Sequence, residues 1–299
     1  MRIVMIQEAI IDALIDSVKL LPFLYITYIL MEYLEHHTES RTKMIVQQAG
    51  RMGPIFGGLL GAVPQCGFSA AAANLYAGRV ITVGTLLAIF LSTSDEMLPI
   101  MLSEAAPISL IGKILLIKAL YGILAGLLID LIVQGRHKYH AMQTKRETER
   151  ENPFAIKEIC EHDHCNCQDG IFLSAFKHTS EVFVFLFIVS AVLNVGIETI
   201  GEEALAQFIL HRPFLGEVLA GLIGLIPNCA ASVVLTQLYL EGAMSFSAMM
   251  AGLLVGAGVG LLVLFRVSRN ILKNLLVLIM LYLTGVCGGL LIHLFSSLL

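Results

Sequence analysis

The sequence is poor in charged residues. Lys, Arg, Asp and Glu make up 14% of its 299 residues, whereas about 25% is usual for a globular domain. Apolar residues make up 57%, and the mean hydropathy is +0.82. Runs of roughly 20 mostly apolar residues, long enough to cross a bilayer, recur along the chain. The composition therefore excludes an ordinary soluble protein and predicts an all-α polytopic membrane protein that contacts the lipid bilayer.

Other features that the sequence lacks exclude further classes of function. The net charge is only −4, so a nucleic-acid partner is not expected. No G-x-x-x-x-G-K-[ST] motif is present, which argues against ATP coupling within this chain. The first apolar segment lacks a small-x-small cleavage site and contains Asp12, Asp16 and Lys19. We therefore do not expect a signal peptide.

The cysteines are placed in two different settings. Cys66, Cys229 and Cys287 lie in apolar segments, and the other three of the six cysteines share one short loop. This distribution does not indicate a disulfide framework. An enzyme would need a nucleophile held beside a base, and Cys66 with a distant histidine is a weak signal for that. We do not expect an enzyme.

One short motif occurs twice. Residues 63–69 read VPQCGFS and residues 226–232 read IPNCAAS, which places Cys229 163 positions after Cys66. The same offset relates further pairs: Ser17 and Ser180, Glu35 and Glu198, Gly53 and Gly216, Gly58 and Gly221, Gly61 and Gly224, Leu75-Tyr76 and Leu238-Tyr239, Gly126 and Gly289. The pattern predicts two homologous halves.

Each half contains five apolar segments, which predicts about ten membrane segments. They lie near 8–35, 53–64, 66–79, 80–103 and 107–134, and near 171–197, 214–227, 229–242, 244–265 and 270–298. The second and third segments of each half are too short to cross a bilayer easily. Because proline cannot continue a regular helix, Pro64 and Pro227 predict a broken or re-entrant helix pair in each half.

The positive charges predict the orientation. Lys and Arg cluster after the first helix, in the central loop and before the last helix: Arg41, Lys43, Arg51, Arg136, Lys138, Lys145, Arg146, Arg150, Arg266, Arg269 and Lys273. Because such clusters face the cytoplasm, we expect two inverted repeats in the inner (plasma) membrane, with both termini outside. The predicted units are repeat 1–134, a cytoplasmic linker 135–170 and repeat 171–299.

Inverted repeats with interrupted helices are typical of secondary transporters, whose sites lie where the breaks meet. The two breaks supply amides, thiols and hydroxyls as candidate substrate ligands: Gln65, Cys66, Ser69, Asn228, Cys229 and Ser232. Cys66 and Cys229 are candidate metal ligands. The alternative is that the cysteines are small buried apolar groups and the hydroxyls bond back onto their own helices.

Residues 91–99 read LSTSDEMLP within an otherwise apolar segment. Ser92 and Ser94 are further candidate ligands, and Asp95 and Glu96 are candidates for metal binding and ion coupling, because acids inside a membrane usually mark an ion path. Lys118 could neutralise one of these acids. The alternatives are acids solvated at a membrane face and a lysine that snorkels to the interface. Asp130 and His293, near equivalent helix ends, are expected at the interface.

The central loop carries a dense group of metal-binding side chains. Its sequence CEHDHCNC supplies Cys160, His162, His164, Cys165 and Cys167. His- and Cys-rich tracts bind metals such as zinc or copper, so we expect an accessory metal-handling loop, although an incidental linker is the alternative. No cofactor is required by the pattern.

Residues 64–102, PQCGFSAAAANLYAGRVITVGTLLAIFLSTSDEMLPIML, closely resemble the family of ten-helix heavy-metal exporters. Members of that family carry names such as arsenic efflux protein or manganese transporter. The resemblance extends to PNCAAS with LYLEG and to the Cys/His loop. It implies ten helices and a metal substrate.

We therefore expect a secondary-active exporter of a divalent or heavy-metal cation, with Mn²⁺ favoured because amide and carboxylate oxygens suit it. Proton or sodium coupling through Asp95 or Glu96 is expected. An arsenite or organoarsenical efflux permease is the alternative. Three further functions remain possible: a transporter of a small organic solute, a channel and a metal-sensing membrane protein. The chain could also assemble with identical copies of itself.

Overall fold

The structure is a computed structural model of the whole chain. It describes residues 52–63, 66–94, 97–143, 171–200, 214–227, 229–268 and 270–298, together with most residues between 11 and 29. Every regular element within these ranges is an α-helix.

The helices are numbered here in chain order. They are α1 within 11–29, α2 Gly53–Gly61, α3 Cys66–Ala77, α4 Val83–Ser92, α5 Met97–Ser103, α6 Ile108–Gln143, α7 Ile171–Ile200, α8 Leu215–Gly224, α9 Cys229–Leu240, α10 Phe246–Val255, α11 Val259–Val267 and α12 Ile271–Leu298.

Five helical stretches in the described part of the chain are long and apolar enough to cross a membrane. They are Val83–Ser103, Ile108–Val133, Ala175–Val192, Phe246–Val267 and Ile271–Phe295. Helix α6 presents Leu116, Leu120, Leu124 and Leu128, spaced four residues apart, and each is more than half exposed. Residues four apart share one helix face, so α6 offers a continuous apolar surface of the kind that lipid covers. The prediction of a polytopic helical membrane protein is confirmed.

Helix interruptions occur where the two prolines predicted them. Helix α2 ends at Gly61 and α3 begins at Cys66, while α8 ends at Gly224 and α9 begins at Cys229. Proline lacks the N–H that a helix interior requires. Pro227 lies in the non-helical link between α8 and α9.

A second pair of interruptions was not expected. The sequence predicts single helices over 80–103 and 244–265, but α4 ends at Ser92 before α5 begins at Met97, and α10 ends at Val255 before α11 begins at Val259. In the second half the reason is local: Gly258 has φ 52° and ψ −143°, a conformation that is essentially restricted to glycine. Each half therefore contains a long apolar stretch broken into two short helices.

Glycines allow the helices of each half to approach closely. A Cβ at Gly58 would lie 3.3 Å from Ile123 Cδ1 and 3.4 Å from the carbonyl oxygen of Ala119, both in α6. A Cβ at Gly221 would lie 2.7 Å from Val286 Cγ2 and 3.2 Å from Tyr282 Cε2. Val286 and Tyr282 belong to α12 and follow Ile123 and Ala119 by the same 163 residues that separate the two glycines.

Two apolar cores join the halves. One unites buried residues of α3 and α4 with residues of α11 and α12 and with α1 and α7. The other unites α5 and α6 with α8, α9 and α10. Helix α3 packs on α11, and α5 packs on α9. The short helices of each half are therefore held by the broken long stretch of the other half.

Candidate functional site

A small cavity lies where the helix breaks of the two halves meet. Its volume is about 20 Å³, which is about the room that one water molecule needs. The lining residues are Thr93, Ser94, Met97, Lys118, Gly224, Ala231, Ser232, Leu235, Gly252, Leu253, Gly256 and Gly258. A species of the size of water or a bare metal ion fits this space.

The first half contributes hydroxyls from the break between α4 and α5. Thr93 Oγ1 donates to the carbonyl of Ile89 at 2.7 Å, and Ser94 Oγ donates to the carbonyl of Ser92 at 3.2 Å. Both side chains are buried. Because each hydroxyl donates its proton to the backbone, its oxygen lone pairs remain suited to a ligand that accepts electron density, such as a cation.

Lys118 of α6 provides a buried amino group at the cavity. Its side chain is 1% exposed, and Nζ donates to the carbonyl of Leu253. Leu253 lies in the last turn of α10, where carbonyls lack intrahelical partners and the helix dipole is negative. The second half thus supplies an acceptor for a buried amino group from the first half. This placement contradicts the snorkelling alternative for Lys118.

The second half contributes Ser232 and closely packed backbone. Ser232 of α9 is half-buried and lines the cavity. At the cavity edge α8 and α10 touch, since a Cβ at Gly224 would lie 3.0 Å from the carbonyl carbon of Gly252 and 3.2 Å from its Cα. Glycines at both positions let the two broken helices meet without intervening side chains.

Two of the predicted ligands lie elsewhere. Ser92 Oγ donates to the carbonyls of Ala88 and Ile89 at 2.8 and 3.0 Å, and it faces Gly61 of α2. Ser69 is buried against Gly260 at the start of α11, where a Cβ would lie 2.8 Å from Ser69 Cβ. The Ser92 hydroxyl therefore bonds back onto its own helix. Ser94 and Ser232 are the predicted hydroxyls that the structure brings to one cavity.

The remaining predicted ligands fall partly or wholly outside the described residues. Gln65, Asn228, Asp95 and Glu96 lie outside them, and so does the loop that carries Cys160, His162, His164, Cys165 and Cys167. Asp95 and Glu96 stand in sequence between Ser94 and Met97, which both line the cavity.

The structure places the backbone of Cys66 and Cys229 at the first residues of α3 and α9, and does not describe their side chains. Cys287 is exposed on α12, so it does not supply a third thiol to the cavity. Within the described ranges no group of three or more His, Cys, Asp or Glu side chains is placed to hold a metal ion.

Asp130 and His293 are not simply solvated at an interface. Asp130 is buried; its Oδ1 accepts from the backbone N–H of Gly84 at 2.9 Å, and its Oδ2 accepts from Thr82 Oγ1 at 2.6 Å. His293 Nδ1 lies 2.8 Å from Oε1 of Glu217, a carboxylate that is 2% exposed. Sequence reasoning did not single out Glu217, because nothing in the sequence indicates which helices pack against its side chain.

The fold and the site define a class: a multi-pass helical membrane protein with a small cavity, lined in part by hydroxyl groups, at helix breaks contributed by two halves of one chain. The model of the family described as "Putative, 10TM heavy-metal exporter" matches residues 5–203. The chain belongs to this family, which confirms the resemblance and supports metal transport in general. No curated protein and no solved structure matches the chain.

Proposed function

We propose that this chain is a secondary-active exporter of a divalent or heavy-metal cation, with Mn²⁺ as the favoured substrate. The observation that carries the proposal is the cavity that both halves line at their helix breaks, with hydroxyls from Ser94 and Ser232 beside a buried Lys118. Broken helices with a polar site between repeats are the architecture by which secondary transporters alternate access.

The two halves, 1–134 and 171–299, are proposed to be inverted repeats. Equivalent contacts support this: Thr82 caps α4 by accepting from the N–H of Thr85, and Ser245, 163 residues later, caps α10 by accepting from the N–H of Ala248. With the positive clusters in the cytoplasm, the linker 135–170 is cytoplasmic and both termini are outside the inner (plasma) membrane. Alternating access follows from movement of one repeat against the other.

The donor set favours a hard cation. The described lining offers hydroxyl and backbone oxygens, which suit Mn²⁺ better than a soft ion. We propose that Asp95 and Glu96 add carboxylates from the break between α4 and α5, and that Gln65 and Asn228 add amide oxygens. Cys66 and Cys229, at the starts of α3 and α9, complete the proposed ligand set.

Coupling to a proton or sodium gradient is proposed to run through Asp95 or Glu96. A carboxylate that binds either a metal ion or a proton exchanges one for the other, and Lys118 supplies a positive charge at the same cavity. If Asp95→Asn combined with Glu96→Gln left gradient-driven transport unchanged, this coupling route would be wrong.

Efflux of arsenite or an organoarsenical is the second candidate. The recurrence of a cysteine at the first residue of both α3 and α9 favours it, since thiolates bind thiophilic species. Three thiols would serve trivalent arsenic better than two, and Cys287 faces outward. Because only two thiols are available to the proposed site, arsenical efflux is the second candidate.

The loop 160–167 is proposed to handle metal outside the membrane, as an accessory to transport. Deleting residues 160–167 tests this role. We expect export to persist with altered metal responsiveness, whereas loss of all transport would make the loop part of the transport path.

The deciding experiment is transport in proteoliposomes with Mn²⁺, Zn²⁺, Cd²⁺ and arsenite, for the wild type and for Cys66→Ala/Cys229→Ala. We expect Mn²⁺ flux that survives the loss of both thiols. Arsenite or Cd²⁺ flux that collapses without the thiols would establish the second candidate instead. Absence of flux for all four species would overturn the proposal of metal export.

A further inference from the structure

A buried carboxylate in the second half lies apart from the cavity. Glu217, in the first turn of α8, is 2% exposed. Its Oε1 lies 2.8 Å from Ser247 Oγ of α10 and 2.8 Å from His293 Nδ1 of α12. Ser247 Oγ also lies 3.3 Å from His293 Nδ1. Three helices are thus joined at one carboxylate.

The histidine of this group reaches the surface although the carboxylate does not. The His293 side chain is 28% exposed, and the ring of Phe214 covers part of it, with ring centroids 5.0 Å apart. Imidazole is the side chain whose charge ordinarily changes between about pH 5 and 8. The imidazole therefore extends from the buried carboxylate to the surface of the described helices.

Few other ionisable groups face this site from the described helices. Tyr282 of α12 donates its hydroxyl to the carbonyl of Val218 at 3.1 Å. Lys113 of α6 lies over the ring of Phe246 at 5.8 Å, and Glu241 follows α9 as an exposed side chain. Helix α10 carries no ionisable side chain. Glu217 and His293 are the two such groups in direct contact there.

The equivalent position in the first half is built differently. Asp130, which precedes His293 by 163 residues, accepts from the hydroxyl of Thr82 and from the backbone of Gly84. Neither donor changes its charge near neutral pH. The first half therefore has a carboxylate held by a hydroxyl and a backbone amide where the second half has a carboxylate and an imidazole.

In addition to the carboxylates proposed at Asp95 and Glu96, we propose that Glu217 and His293 form a proton-binding site that links the proton gradient to movement of α8. The proton is taken up at Nε2 of His293 while its Nδ1–H faces the carboxylate. The resulting ion pair, in a low-dielectric setting, holds α12 to α8 more strongly than the neutral imidazole does. Loss of the proton loosens that attachment.

Helix α8 carries this change to the cavity. Glu217 lies in its first turn, and Gly224, its last residue, lines the cavity. Seven residues of helix separate them by about 10 Å. A helix that is attached to α12 at one end and bounds the cavity at the other can couple proton binding to access. This inference rests on the proposed function, because it needs a transported substrate.

Two measurements test the proposal. In proteoliposomes, we expect Glu217→Gln and His293→Asn each to reduce pH-gradient-driven Mn²⁺ flux to the level seen without a gradient. Mn²⁺/Mn²⁺ exchange, which needs no net proton movement, should persist. Asp130→Asn is the matched control in the other half and should keep its response to the gradient.

The second measurement needs no substrate. Hydrogen–deuterium exchange of α8, corrected for intrinsic rates, should show more protection at about pH 5.5 than at about pH 8 in the wild type and no such difference in His293→Asn. If the wild-type protein showed no Mn²⁺ flux but did show this pH-dependent protection, the proposed substrate would be wrong and the proton site would still be supported.

Three outcomes overturn the proton site. The first is unchanged gradient response in both variants, and the second is equal loss of exchange and gradient-driven flux, which indicates a purely structural role. The third is wild-type protection of α8 that does not depend on pH. This third measurement uses only the wild-type protein, so it tests the proton site even if the variants fail to fold.

Discussion

The hydroxyl of Tyr121 donates to the carbonyl of Thr284 at 2.6 Å, and these residues stand 163 positions apart. That separation is the offset between the two copies of the P-x-C-x-x-S motif. A residue that contacts its own counterpart lies close to the axis that would relate two repeats. The ring of Tyr121 sits over Gly288, where a Cβ would lie 2.9 Å from its Cε1. The contact places Tyr121 and Thr284 where the two halves of the chain meet.

Replacing Gly224 by alanine should damage the contact between the broken helices at the cavity. The added methyl would press on the backbone of Gly252, and overpacking of this kind costs about 1–3 kcal/mol. We expect a lower thermal unfolding midpoint in detergent and reduced transport.

Gly112→Ala is the matched control, because nothing lies within 4 Å of its Cβ position. Alanine is favoured over glycine in a helix interior by about 0.8–1.0 kcal/mol, so this variant should be at least as stable as the wild type. Equal behaviour of the two alanine variants would contradict the tight contact at Gly224.

Lys118→Met should separate a cationic substrate from an anionic one. Removing a positive charge from the cavity lining strengthens binding of a cation, and a gain of about 1.4 kcal/mol corresponds to about tenfold tighter Mn²⁺ binding. Turnover should fall, because a more tightly bound ion is released more slowly. Binding measured by calorimetry and flux measured in vesicles check the two parts. Weaker Mn²⁺ binding would contradict a repulsive role for the lysine.

Ser232→Ala should raise the KM for transport. Loss of one oxygen contact to a charged group costs about 1.5 kcal/mol or more, which is about tenfold in apparent affinity. Thr236→Val is the control in the same helix: Thr236 Oγ1 donates to the carbonyl of Ser232 at 2.7 Å, one turn beyond the cavity. The KM of each variant is measured from initial transport rates over a range of metal concentrations. An equal rise in KM for both variants would contradict the role of Ser232 as a ligand.

Asp130→Ala should destabilise the protein without altering substrate recognition. The substitution leaves the buried N–H of Gly84 without its carboxylate partner, and an unsatisfied buried group costs about 1–3 kcal/mol. Asp130→Asn keeps an acceptor oxygen, so it should lose less stability than Asp130→Ala. Unfolding midpoints in detergent should rank wild type, then Asn, then Ala. A changed metal preference in either variant would show that Asp130 does more than cap α4.

The proposed orientation predicts the behaviour of reporter fusions. Alkaline phosphatase fused after Leu299 should be active and green fluorescent protein there should be dark, because the last helix would end outside. Fluorescent protein inserted within the linker 135–170 should be bright. If the linker reporter indicated the outside and the terminal reporter the cytoplasm, the protein would have the opposite orientation. If both positions lay on the same side of the membrane, the inverted repeat would be wrong.

Several features of the fold could be predicted from the sequence because their causes are local. Pro64 and Pro227 predicted interruptions that the helix ends at Gly61 and Gly224 bear out. The interruption at Gly258 was missed, because glycine is common in membrane helices and only its backbone angles distinguish a break. Which hydroxyl faces the cavity was also beyond the sequence: Ser92 and Ser94 stand two residues apart, yet one faces Gly61 and the other lines the cavity.

By itself, the sequence determined the membrane class, the 163-residue repetition and two of the helix breaks. These follow from composition and from backbone chemistry at single residues, which do not depend on distant neighbours. Only the tertiary structure decided that Lys118 meets Leu253, that Asp130 caps α4 and that Glu217 is buried against His293. Each of these joins helices far apart in the chain, and burial and partnership of a polar group are set by the helix that packs against it.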